Sequence, residues 1–310
     1  MSSSQVEPTA STLEVSDKSK KSAAKPWLVS TIGFILVGCL VSLYIFPTQI
    51  QHVAEGVPGA FQAFFTEQVL FFMLAGFLAQ MIDGALGMAY GVTSSSILLG
   101  LGVSPAMASA SVHVSEVFTT GISGLSHLKL GNVNRKLFRS LVLPGVIGAV
   151  IGAYLLTNID EKVIKPFVAV YLMIMGVVIL RKAFKKQAEA REQKNIAGLA
   201  LFGGFMDAVG GGGWGPIVAS TLLSKGHNPR FTIGSVNLAE FFIATAGAGT
   251  FVALIGMGNW HIIAGLVIGG SFAAPFAAYL CKKLSAKTLM IMVGVLIIVL
   301  SIRNFYLFLK

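Results

Sequence analysis

Four carboxylates stand inside long hydrophobic stretches of this chain: Asp83, Glu116, Asp207 and Glu240. An acidic side chain at the centre of a membrane helix costs roughly 2.5–3.5 kcal/mol on insertion scales, so such residues mark a pathway, a pair or a cap. Glu116 follows His113 by three positions and Glu240 follows Asn237 by three, so each pair shares one helix face. A buried carboxylate that takes up a proton can couple anion movement to protons, because its neutral form admits the anion that its ionised form repels. That chemistry makes Glu116 and Glu240 candidates for proton coupling. A hydrogen bond across a helix interface is the alternative use of each. Asp83 and Asp207 have a structural reading of equal weight, since Asp is a common helix-cap residue. His113 could be a ligand, a proton relay or a satisfied interior histidine.

The second chemical signal is the stretch FMDAVGGGGWGP, residues 205–216. In hydrocarbon, a helix can be broken only where protein or water satisfies the freed backbone. Gly210, Gly211, Gly212 and Gly213 could present bare N–H groups there. A half-helix start adds the positive end of its dipole, giving an anion cradle without Lys or Arg. The alternative is close helix packing at small residues, which also accounts for Gly203, Gly204, Gly269 and Gly270. Ser94, Ser95 and Ser96 follow a related break and could donate to an anion or bond back to their own helix. Trp214 reads equally as a wall residue or as ordinary aromatic packing.

The elements that position these residues occur twice. An offset of 124 residues carries Asp83 onto Asp207, Gly87 onto Gly211 and Gly91 onto Gly215. In the same ungapped register Pro105 meets Pro229, Ser111 meets Ser235, and Glu116 meets Glu240. A shared hydrophobic bias would align leucines, not paired aspartates, prolines and glutamates.

The chain is 55% hydrophobic and 12% charged, against about 25% charged residues in soluble domains. Apolar runs near bilayer-spanning length recur, and they lack the alternation of a membrane barrel. The sequence therefore specifies an all-α integral membrane protein. Residues 1–25 read as a disordered cytoplasmic tail, and residues 26–47 as an extra N-terminal span, too long for a signal peptide. Repeats cover 68–184 and 195–305. Basic residues crowd the tail, loop 129–139, loop 181–194 and loop 281–287, while 47–67 carries Glu55 and Glu67 with no Lys or Arg. Placing the basic loops in the cytoplasm makes each segment broken at its glycines return to the side it came from. One break is expected at Asp83–Gly87, with halves of roughly 15 residues, short for a full span. The two repeats then run in opposite directions, the architecture of secondary transporters with a site near the midplane.

The net charge of +10 is absorbed by this topology and calls for no nucleic acid. No GxSxG, HExxH or phosphate-loop motif occurs, and the two cysteines have no metal or redox spacing. An enzyme, a cofactor and a bound metal are not expected. The expected partners are a small anion and the lipid bilayer, with a homo-oligomer left open.

The segments DGALGMAYG with SPAMASASVHVSE, and DAVGGGGWGP with NPRFTIGSVNLAE, resemble the two halves of the TauE/SafE sulfite exporter-like family. The resemblance covers about 68–305. It implies movement of a small sulfur anion, sulfite or an organosulfonate, across the bacterial plasma membrane, with export as the expected direction. The first-half glycine run is diluted to Gly84, Gly87 and Gly91, which departs from that pattern. The expected substrate contacts are Gly210–Gly213, Ser94–Ser96, His113 and Asn237. A cation pathway through the four acids, and a non-transporting scaffold, are the competing functions.

Overall fold

The computed structural model describes residues 66–86, 88–184, 195–257, 260–283 and 286–309. The expected tail at 1–25 and the extra span at 26–47 lie outside the described residues. The chain forms α1 (Glu67–Leu86), α2 (Tyr90–Gly100), α3 (Pro105–Lys129), α4 (Arg135–Asn158), α5 (Glu161–Phe184) and α6 (Ile196–Gly210). A π-helical turn (Gly215–Ala219), α7 (Ser220–Ser224), α8 (Pro229–Ile255), α9 (Trp260–Lys283) and α10 (Ala286–Leu309) follow, with no strand among the described residues. Helices α4, α5 and α8, and Lys287–Tyr306 within α10, are long and apolar enough to cross a bilayer. Ile122, Leu143, Phe167 and Phe272 stand 71%, 67%, 66% and 70% exposed, as a lipid-facing surface requires. The chain is an all-α membrane protein.

A broken segment followed by three long helices occurs twice: α1/α2 with α3–α5, then α6/π-turn/α7 with α8–α10. Packing between the halves is reciprocal. Helix α1 lies on α9 and α6 lies on α4, while α3 meets α8 and α5 meets α10. The α4–α6 contact is close because a Cβ on Gly204 would collide with the backbone of Gly145, and one on Gly148 with that of Leu201. A side chain on Gly269 of α9 would likewise strike the backbone of Met73 on α1. Small residues let helix backbones approach where lipid supplies no hydrophobic drive.

The repeated prolines start helices. Pro105 opens α3 behind Ser104, whose hydroxyl accepts from Met107 N; Pro229 opens α8 behind Asn228, whose side chain accepts from Arg230 N at 3.0 Å. Proline is tolerated at that position because its missing N–H would have no helical partner. The first break differs from the expected one. Helix α1 runs 20 residues, through Asp83 to Leu86, and α2 begins only at Tyr90. Asp83 sits inside the last turn of α1, and its Oδ1 accepts from Tyr90 N at 3.3 Å across the gap. An acid one turn before the break caps the helix after it.

Candidate functional site

The second break follows the same plan with tighter geometry. Helix α6 ends at Gly210, and Gly211 takes the left-handed conformation (φ 65°) that glycine adopts without strain. Its N–H bonds to Asp207 O, as does Gly212 N at 2.9 Å. Asp207 Oδ1 then accepts from Gly213 N at 2.6 Å and from Trp214 N at 2.8 Å. The amides of Gly211, Gly212 and Gly213 are therefore not free, contrary to the expectation of a bare cradle. In a low-dielectric interior every N–H must find an acceptor, and Asp207 is the acceptor that chain connectivity places nearest.

Close approach explains why these positions are glycine. Gly212 packs on Gly91 of the other break, where a Cβ on Gly91 would lie 2.5 Å from Gly212 Cα and 2.9 Å from Glu116 Oε1. Tyr171 of α5 donates to Gly212 O at 2.8 Å, and its ring fills the space that side chains on Gly210 and Gly213 would need. Ser95 Oγ donates to Gly211 O. The two breaks thus touch each other and Glu116.

Beside that contact lies a buried acid–base group. His113, Asp207 and Glu116 are 0%, 1% and 2% exposed. His113 Nδ1 is 2.9 Å from the carbonyl oxygen of Ser109, which can only accept, so Nδ1 carries a proton. The other nitrogen, Nε2, is 3.4 Å from Asp207 Oδ2. Ser109 Oγ also donates to Ala208 O at 2.6 Å, tying α3 to α6 beside the aspartate. One ligand atom from each of His113, Glu116 and Asp207 lies within 4.8 Å of the others. His113 Nε2, Glu116 Oε2 and Asp207 Oδ2 have no hydrogen-bond partner among the described residues. Buried polar atoms are normally paired, so these three make the cluster the candidate site.

The other expected residues divide. Ser94 is fully buried, one helical turn beyond Gly91, and its hydroxyl lies near that of Tyr90. Ser96 Oγ bonds back to Val92 O at 2.6 Å, the helix-internal use. Asn237 Nδ2 donates to Ser123 Oγ at 2.9 Å. Glu240, one turn further along α8, is only partly buried and is not among the three clustered groups. Trp214 is fully buried and donates from Nε1 to Val236 O at 3.2 Å. Two contributors were missed in the sequence. Ser109 could have been found as the residue four before His113. Tyr171 carries no local signal.

The family model for the sulfite exporter TauE/SafE matches residues 72–304. Over 248 residues the chain is 42% identical to the probable membrane transporter protein YtnM of Bacillus subtilis (strain 168), covering 77% of this chain and 83% of that protein. No solved structure matches the chain. With a family match across most of its length, this chain belongs to the sulfite exporter TauE/SafE family and is a multi-pass membrane transporter.

Proposed function

We propose that this transporter exports a small sulfur oxyanion, sulfite or an organosulfonate, and couples its passage to a proton held by His113, Glu116 and Asp207. One observation carries the reading: Asp207 Oδ1 is seated on the amides of Gly213 and Trp214. A turn that holds one anionic oxygen from its own side chain has the geometry to hold one from a substrate. Asp207 is then a resident anion that the substrate displaces. Released from the amides, its carboxylate turns to His113, already 3.4 Å from Oδ2. It is neutralised there by a proton on the imidazole or on the acid itself. Glu116, against Gly91, must also be protonated for a second anion to sit beside it. Ser94 Oγ, buried one turn beyond Gly91, supplies a further donor. When the substrate leaves, Asp207 returns to the turn and the proton is released.

In this reading the halves α1–α5 and α6–α10 are inverted in a bacterial plasma membrane with the N-terminus in the cytoplasm. Their breaks meet near the midplane, as in other inverted-repeat carriers. The second reading is a cation pathway, favoured by two carboxylates with unpartnered buried oxygens. Trp214 separates them, because its backbone lies on the contested turn and the chain has only two other tryptophans, Trp27 and Trp260. With those two replaced by Phe, the fluorescence of Trp214 should change saturably with sulfite or sulfoacetate. A response to Na⁺ alone would move the assignment to the cation pathway.

A further inference from the structure

We infer that His113, Glu116 and Asp207 form a binding site for a divalent transition-metal ion of the Zn²⁺ class, and that the ion blocks transport by pinning Asp207. The binding stands on geometry alone; the block rests on the displacement of Asp207 proposed above. A Zn²⁺ ion about 2.0–2.2 Å from an imidazole nitrogen and a carboxylate oxygen sets those atoms ~3.3–3.5 Å apart when the angle is tetrahedral. The observed Nε2–Oδ2 separation is 3.4 Å. The third group, Glu116, contributes a ligand atom within 4.8 Å of both others.

The donor set has the orientation that metal sites use. His113 donates its Nδ1 proton to Ser109 O at 2.9 Å, which aims the Nε2 lone pair at the aspartate. A ligating histidine is usually held this way through its other nitrogen. Asp207 anchors Oδ1 on two amides and turns Oδ2 to His113 Nε2. All three side chains are almost fully buried, and each has a polar atom without a hydrogen-bond partner among the described residues, so the site is defined by more than a cluster of acids. One imidazole with two carboxylates suits Zn²⁺ or Co²⁺ and disfavours Mg²⁺ and Ca²⁺, which take oxygen ligands. Three protein ligands leave a fourth tetrahedral position open. An ion bound there holds Asp207 by Oδ2 while Oδ1 stays on the glycine turn, so the turn cannot open to an anion.

The experiment uses the full chain purified in detergent and titrated with Co²⁺. The expected result is one saturable equivalent with visible ligand-field bands. His113→Ala and Glu116→Gln should weaken it by at least the roughly 10–100-fold typical of an outer-shell change. His227→Ala and His261→Ala should leave it unchanged. X-ray absorption of the Zn²⁺-loaded wild type should show imidazole and oxygen ligands, which keeps the test independent of any variant's folding. Absence of saturable binding, sulfur ligands, or full affinity in a folded His113→Ala protein overturns the site. Sulfite flux in proteoliposomes is measured alongside, with and without Zn²⁺. Flux that proceeds with no Co²⁺ site removes the metal and keeps the anion reading. A Co²⁺ site in a protein that moves no sulfur anion does the reverse. Flux undiminished in the Zn²⁺-loaded protein overturns the block.

Discussion

Asp207 holds the glycine turn with one carboxylate oxygen and faces His113 across 3.4 Å with the other. The same side chain is therefore the cap of a broken helix and a member of a buried acid–base group. Moving that carboxylate frees the amides of Gly213 and Trp214.

Replacing Asp207 by Asn keeps an oxygen acceptor for Gly213 N and Trp214 N but removes the charge. Charge-assisted hydrogen bonds are about twice as strong as neutral ones. The variant should lose about 1–2 kcal/mol of stability and its transport should no longer respond to pH. Asp207→Ala, which leaves two amides unpaired in a buried site, should lose more. Thermal unfolding in detergent and flux in vesicles measure the two effects separately.

Glu116 and Glu240 should not behave alike. Glu116→Gln alters a group 2% exposed beside the contact of the two breaks, so pH-dependent flux should fall at least tenfold. Glu240→Gln alters a partly buried residue outside the three-group cluster and should reduce flux less. Unchanged pH dependence in the double variant would remove the proton from the mechanism.

Gly212→Ala and Gly91→Ala test the contact of the two breaks. Each new Cβ would meet backbone of the opposite break, and the one on Gly91 would also press on Glu116. Overpacking of this kind costs about 1–3 kcal/mol. Gly249→Ala, on α8 where a Cβ meets nothing within 4 Å, should be tolerated. Melting temperatures of the three proteins provide the comparison.

Tyr171→Phe removes the bond to Gly212 O and keeps the ring that fills the space beside Gly210. A loss of about 1 kcal/mol is expected, with binding of the anion shifted because the turn is less fixed. Trp214 fluorescence and unfolding report both.

The two-half plan was legible because helix boundaries are local. Ser104 and Asn228, three residues before Met107 and Phe231, cap helices opened by Pro105 and Pro229, and the repeat register already paired those prolines. The position of the carboxylates one turn before each break was equally local. The fate of the glycine amides was not. Four glycines state that the backbone can bend, not which acceptor it meets, and Asp207 takes the N–H groups an external anion would use. The site itself joins His113 and Glu116 of α3 to Asp207 of α6, residues far apart in sequence. The repeat suggested symmetry that the residue types break: the counterparts of His113, Glu116 and Asp207 are Asn237, Glu240 and Asp83, and asparagine is no base. Asn237 is engaged with Ser123, and among the described residues the second half has no matching group.

The central claim is that a sulfur oxyanion takes the place of the Asp207 carboxylate with a proton as companion. Its most direct test is the flux of radiolabelled sulfite in proteoliposomes under an imposed pH gradient, comparing the wild type with Asp207→Asn. Gradient-driven flux is expected in the wild type, and flux independent of the gradient in the variant. Equal acceleration of both proteins by the gradient would contradict it.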